Sequence, residues 1–361
     1  MTGRLGALGV VLCALTVKAA DKPLSVVITG DNGGEVAPCG CQMNPTGGLA
    51  KRKTVLQSWV GQPLLVVDAG NALFRSAGGA DAKAQARAQF IAQTMAKLGT
   101  VAMAVGHRDL SAGAAFLKTS AEKAKLKLLS ANLRDGEQKP FAGSMVWQGA
   151  GVKVGLIGLS PSGPVLGSPT LNGGAVVEAA KAQLQVLKGK VEVVVLLAAV
   201  PYAEALALAQ ALHGQADFIV QSSDSRGQVA QEVAGAYLIG AGDRGRAIAR
   251  LDLNLGNGKG AWVDLAAQAR DAQSVALLEQ QLITLKERLK MTSDPQAKRS
   301  LQETLTQMQK RHSEQIRKAQ GAVAAGARTL TLQWKALDSA VGDDESLKKE
   351  VLVHEPTYAG H

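Results

Sequence analysis

Cys39 and Cys41, separated by one glycine, are the residues whose type and spacing most directly invite chemistry. Two thiols two positions apart close a small strained ring when oxidised, and strain makes a disulfide easier to reduce, which suits exchange better than stapling a fold. Lys51, Arg52 and Lys53 follow nearby, and cationic neighbours favour the thiolate that exchange requires. A structural disulfide, or two inert loop thiols, is the alternative reading of the same residues. No second cysteine pair completes a soft metal site, since Cys13 lies in the apolar N-terminal run. Asp31 is the next candidate. The run Val26-Val27-Ile28-Thr29 before Gly30-Asp31 reads as an inner strand whose C-terminal end delivers the carboxylate into a cleft. Gly-Asp-Asn-Gly is equally a turn sequence in which Asp31 only caps a loop.

These residues need a frame, and the chain supplies one. Strand patterns at 24–29, 63–67, 101–105, 127–129, 152–157, 191–197, 218–220 and 237–239 alternate with helical periodicity at 82–98, 112–124, 176–187 and 202–212. A late edge strand is expected at 248–253. Such alternation predicts a layered α/β body over residues 20–255. Beyond it, Val275, Leu278, Leu282, Leu285 and Leu289 repeat at three-and-four spacing, as do Leu301, Leu305, Met308, His312 and Ile316. Thr292-Ser293-Asp294-Pro295 supplies an N-cap and a proline for a helix restart, so 270–320 reads as an antiparallel helical hairpin with coiled-coil heptads and arms about 30 Å long. Residues 327–361 contribute a last strand and helix.

The 361 residues, 46% of them hydrophobic, can bury a large core. Aromatic residues make up only 3%, which leaves little for base stacking and argues against nucleic-acid recognition. The net charge of +10 favours acidic partners. At the N-terminus an arginine precedes the apolar run Leu5 to Val17, which is too short to span a bilayer and reads as a signal peptide over 1–19. Periplasmic or secreted localisation follows. Leu12 before Cys13 speaks against a lipoprotein site.

The stretch Val26 to Lys53 resembles the first block of the calcineurin-like metallophosphoesterases, and more closely their periplasmic 5′-nucleotidase branch. Gly47-Gly48-Leu49-Ala50-Lys51-Arg52 is similar to a Gly-Gly-Leu-Ala-Arg-Arg-like segment of that branch, and Pro38-Cys39-Gly40-Cys41 to a subset that sometimes carries selenocysteine. Ser130-Ala131-Asn132, the 151–158 strand and Ala241-Gly242-Asp243-Arg244-Gly245 extend the likeness over about residues 24–255. The resemblance implies a four-layer α/β/β/α sandwich, here with a C-terminal helical hairpin. It also implies strand-end ligands for two metal ions that clamp a phosphoryl group and generate hydroxide.

Checked block by block, only Asp31 keeps its expected ligand type. Gly33 stands where a His is implied, Asn71 where a bridging Asp is, and His107 and Arg108 where Asn and the catalytic His are. Arginine cannot act as a general acid near neutral pH. Ala199 replaces a further His, and Ser223 and Ser225 a His pair. A degenerate site without metal or other cofactor is therefore expected; any divalent metal would fall to Asp31, Asn71 and His107. The resulting reading is a non-hydrolytic redox or binding protein acting through Cys39-Gly40-Cys41, with Asp31, Asn71, His107 and Arg108 in a cleft shared with Asp68 and Asp109. Its expected partners are a redox or envelope protein and a small anion bound through Arg108. Two alternatives stay open: a phosphate-ester hydrolase with an altered metal site, and an envelope interaction protein that uses the hairpin.

Overall fold

The computed structural model describes residues 23–39, 45–59, 64–224, 230–258, 260–319 and 323–360. The expected signal peptide, Gly40, Cys41 and Ser225 lie outside the described residues. The chain opens with β1 (Pro23–Thr29), α1 (Leu49–Ser58), β2 (Leu64–Asp68), α2 (Ala82–Lys97), β3 (Thr100–Ala104), α3 (Gly113–Ala124) and β4 (Lys127–Leu129). It continues through β5 (Leu133–Asp135), β6 (Ser144–Gly149), β7 (Val152–Leu159), β8 (Gly163–Pro164), β9 (Leu171–Gly173), α4 (Val176–Leu187), β10 (Val193–Ala198) and α5 (Tyr202–Leu212). After these come β11 (Phe218–Gln221), β12 (Gln231–Val233), β13 (Ala236–Gly240), β14 (Ala247–Asn254), β15 (Trp262–Asp264), α6 (Leu265–Met291), α7 (Pro295–Ala319), β16 (Arg328–Ala336) and α8 (Glu345–His354).

Two large sheets form the centre. The first runs β15-β16-β14-β1-β2-β3-β4 and the second β12-β13-β11-β10-β7-β6, with a small third sheet β5-β9-β8 beside them. Strands β1 to β4, and likewise β7, β10, β11 and β13, pair in parallel. Parallel strands are covered on both faces and so read as unbroken aliphatic runs, which is how Val26-Val27-Ile28 and Val193 to Leu197 look in the sequence.

The inner faces meet in one core to which Val26, Ile28, Leu65, Val67 and Ala102 contribute from the first sheet, and Val154, Leu156, Val195, Leu197 and Phe218 from the second. On the outer face of the first sheet, α2, α3 and α8 bury Ile91, Met95, Leu117 and Val351 against Met103 and Val105. Ala180, Leu184, Leu208 and Leu212 of α4 and α5 cover the second sheet in the same way. Each fully buried Leu, Ile or Val contributes about 1.5–3 kcal/mol. The four α/β/β/α layers follow.

β14 is not the edge strand that its sequence suggests. It lies between β1 and β16, pairing with β16 from Ala247↔Ala336 to Asn254↔Thr329. Residues beyond 255 thus complete the sheet, and α6 and α7 are inserted between β15 and β16. Asp264 caps α6 by accepting from the N–H groups of Ala266 (2.9 Å) and Ala267 (3.0 Å). Along the hairpin the heptad residues are buried or half-buried, Leu282 and Leu305 most of all. His312 sits half-buried with a ring nitrogen 3.4 Å from Glu279. His213 takes the left-handed conformation at the C-terminus of α5, with φ 44°. Among the described residues no helix is long and apolar enough to cross a membrane.

Candidate functional site

The loops after β1, β2 and β3 converge at the C-terminal edge of the first sheet. The Asp31 N–H donates to Gly70 O (2.8 Å), Gly33 N–H to Asn71 O (3.1 Å) and Gly34 N–H to Ala72 O (2.9 Å), so the first two loops run against each other. Asp31 and Asn71 both hold left-handed backbones, with φ 50° and 58°. Asp and Asn tolerate that region best among residues with a side chain, yet it costs free energy that the surrounding bonds must offset. Gly106 is needed for a different reason, because a Cβ there would lie 2.2 Å from Asn71 Oδ1 and 2.9 Å from Asn71 N.

Asp109 organises the second and third loops. Its buried carboxylate accepts from the N–H groups of Asn71 (2.7 Å), Ala72 (2.8 Å), Leu73 (2.9 Å) and Gly106 (2.9 Å). Burial pushes its pKa upward, and these N–H donors oppose that rise. Asp68 is likewise fully buried, with one oxygen receiving the Thr29 hydroxyl (2.7 Å) and the other the Gly70 N–H (2.8 Å). Desolvation carries its pKa up to about 6, against the pull of those bonds and of Arg52.

Arg108 decides the character of the cleft. Its guanidinium is ion-paired with the buried Asp31 carboxylate, and its Nη1 lies 3.7 Å from where a Gly33 Cβ would stand. A side chain at position 33 would therefore begin in van der Waals contact with the arginine. Asn71 is neutral, its Nδ2 3.4 Å from Ser222 Oγ, while Ser222 donates to Ala69 O (2.7 Å). His107 turns toward Pro161 and Glu204, and burial lowers its pKa while that carbonyl and carboxylate oppose the fall. Its Nε2 is buried without a hydrogen-bond partner among the described residues. The structure thus gathers Asp31, Asn71 and Arg108 and sets His107 to one side.

The carboxylates of Asp68 and Asp109 are taken by hydroxyl and backbone donors, and that of Asp31 by a guanidinium. Among the described residues no three His, Cys, Asp or Glu side chains are grouped to hold a metal ion.

Other residues of the site carried no signal as ligands in the sequence. Asn32 anchors the turn, with Nδ2 donating to Glu35 O (2.7 Å) and Oδ1 accepting from Arg52 Nη2 (2.7 Å). Burial lowers the Arg52 pKa, while Asp68 acts to raise it. The Glu35 carboxylate, nearly buried, is shared by Arg75 (2.9 Å) and Arg244 (2.6 Å). The Arg244 N–H donates to Asp31 O (2.7 Å), and the Glu35 hydrogen bond raises its side-chain pKa against the opposing effect of burial. Acid and arginine spacing in Gly30 to Glu35 and Ala241 to Gly245 was the available clue.

Cys39 is half-buried, and its backbone exchanges two hydrogen bonds with Thr46 (2.9 and 3.1 Å). The basic run behind it serves other ends: Lys51 reaches Val341 O (2.5 Å) and Asp343 (3.6 Å), Arg52 reaches Asn32, and Lys53 reaches Asp344 (3.0 Å). The loop after β13 returns beside the β1 loop, where the Arg244 side chain is held by Glu35.

Comparison with known structures places this geometry. A 5′-nucleotidase precursor from Thermus thermophilus superposes with a TM-score of 0.60 at 19% identity, covering 93% of this chain and 59% of that one. A putative 5′-nucleotidase from Staphylococcus aureus gives 0.55 at 16% identity, covering 64% and 51%. The calcineurin-like phosphoesterase YfkN from Bacillus subtilis gives 0.53 at 18% identity, covering 65% and 85%. The fold is that of the calcineurin-like metallophosphoesterases and 5′-nucleotidases. The chain spans between half and three fifths of the length of the two nucleotidases. No family model and no curated protein sequence matches it.

Proposed function

We propose that this chain is a non-hydrolytic protein on a metallophosphoesterase frame, acting as a redox or binding protein through Cys39-Gly40-Cys41 beside the former metal cleft. The ion pair between Arg108 and Asp31 carries the reading, because it places a fixed organic cation where the frame would need a free carboxylate. Exchange would proceed by attack of one thiolate on a partner disulfide. The partner's leaving thiolate takes up a proton, and the second cysteine then resolves the mixed disulfide, so two electrons and two protons pass to the partner. Arg108 and its surroundings would hold a small anion without hydrolysing it. The setting is periplasmic or secreted, and no resident cofactor is needed.

Metal content and thiol state measured on one sample test this. The expected outcome is less than one bound metal per chain, no turnover of AMP or p-nitrophenyl phosphate with Mn²⁺ or Zn²⁺, and disulfide exchange lost in Cys39→Ser and Cys41→Ser. Two bound metals with turnover abolished by Asp31→Ala would restore the hydrolase reading. Exchange at the wild-type rate in both cysteine variants would remove the redox one.

A further inference from the structure

We propose that the apex of the α6–α7 hairpin is an adsorption site for an anionic phospholipid bilayer. The seam of the hairpin is closed by its own residues. Leu282 and Leu305 are buried, and Gln315 reaches Asp271 (2.7 Å) across it. The far end is chemically different. Lys286, Arg288 and Lys290 on the last turns of α6, and Lys298 and Arg299 at the start of α7, form no ion pair among the described residues. Against these cations the stretch sets only Glu287 and Asp294, and Asp294 is occupied in capping α7 through the Ala297 N–H (2.7 Å). At the turn itself, Met291 is 86% exposed, more than any other large apolar side chain described.

Shape selects among anionic partners. Two helices ending side by side make a convex tip, and a groove lined by Leu277, Thr284, Arg288 and Met308 lies down the shaft. A folded acidic protein would need a matching concavity to cover such a tip. A bilayer offers a flat, extended anionic plane, which Met291 enters to headgroup depth while the flanking lysines and arginines stay level with the phosphates. The length of α6, about 40 Å at ~1.5 Å per residue, carries this contact away from the cleft. One apolar side chain gives no permanent anchor, so adsorption is reversible and weakens as salt screens the charges.

Co-sedimentation of the full chain with vesicles tests the proposal. Binding is expected to phosphatidylcholine vesicles containing phosphatidylglycerol, not to phosphatidylcholine alone, and it should fall with added salt. Neutralising Lys286, Arg288 and Lys290 to Gln should weaken partitioning about 100-fold, and Met291→Asp about fivefold or more. Lys298→Gln with Arg299→Gln gives a second variant on the other helix, decisive if the first folds poorly. Cys39→Ser should bind vesicles as the wild type does, which separates this site from the thiol reading. Absence of binding at low salt, equal binding to neutral vesicles, or undiminished binding by the folded variants would overturn the proposal. Capture of an acidic protein without vesicle binding would do so as well.

Discussion

The Arg108 guanidinium and the Asp31 carboxylate form an ion pair at the mouth of the first sheet, so the cleft carries its own cation. Asp31 is almost fully buried, whereas the Arg108 side chain keeps a quarter of its surface in solvent. Removing the arginine strands a carboxylate in the protein. Arg108→Ala should therefore cost about 2–4 kcal/mol in urea unfolding near pH 7. Adding Asp31→Asn should recover part of that loss, a coupling of about 1–3 kcal/mol in a double-mutant cycle. Additive effects would show that the pair is not energetically linked.

Asp109 holds the loops after β2 and β3 through backbone N–H groups alone. Asp109→Asn turns one acceptor oxygen into a donor facing donors, so a loss of about 3 kcal/mol or more is expected. Hydrogen exchange is the sharper readout. The amides of Asn71, Ala72, Leu73 and Gly106 should lose protection together, and unchanged protection would show that the loops are held by other contacts.

Asp68 makes stability depend on pH. Its folded pKa of about 6 exceeds the value of about 3.9 for an unfolded chain, so between these pH values the folded state binds more protons. Its contribution to stability is therefore greatest below about pH 4 and declines until the pH passes about 6, by roughly 2–3 kcal/mol. Asp68→Asn should flatten that part of the profile in denaturant titrations at a series of pH values. A profile of unchanged slope would assign the dependence to other groups.

Gly106→Ala should cost about 1–3 kcal/mol, because its Cβ meets both the backbone and the side chain of Asn71. Gly342→Ala serves as the control, since nothing lies within 4 Å of a Cβ there. Thermal melts that shift equally for the two variants would contradict the packing argument.

Much of the frame was legible in the sequence. Buried parallel strands such as β1 and β10 are continuous aliphatic runs, and α2, α4 and α5 show their inward faces at helical spacing. Helix α1 was harder to see, for its Lys51 and Arg52 are buried and blur the periodicity. The position of β14 was not legible, because strand order depends on β16, which follows the hairpin insertion far along the chain. Within the cleft, Asp31, Asn71 and Arg108 were identifiable as strand-end residues. The sharing of Glu35 between Arg75 and Arg244 was not, because it joins segments about two hundred positions apart whose pairing no local pattern encodes.

The insertion of α6 and α7 between β15 and β16 has a consequence for biogenesis. While the nascent polypeptide emerges, β14 has one flank open until more than seventy further residues have been synthesised and Arg328–Ala336 can zip onto it. An unpaired strand is a template for association with other chains. Premature termination anywhere in the helical arm should therefore yield aggregating fragments, and the body would become assembly-competent only once Arg328–Ala336 is available.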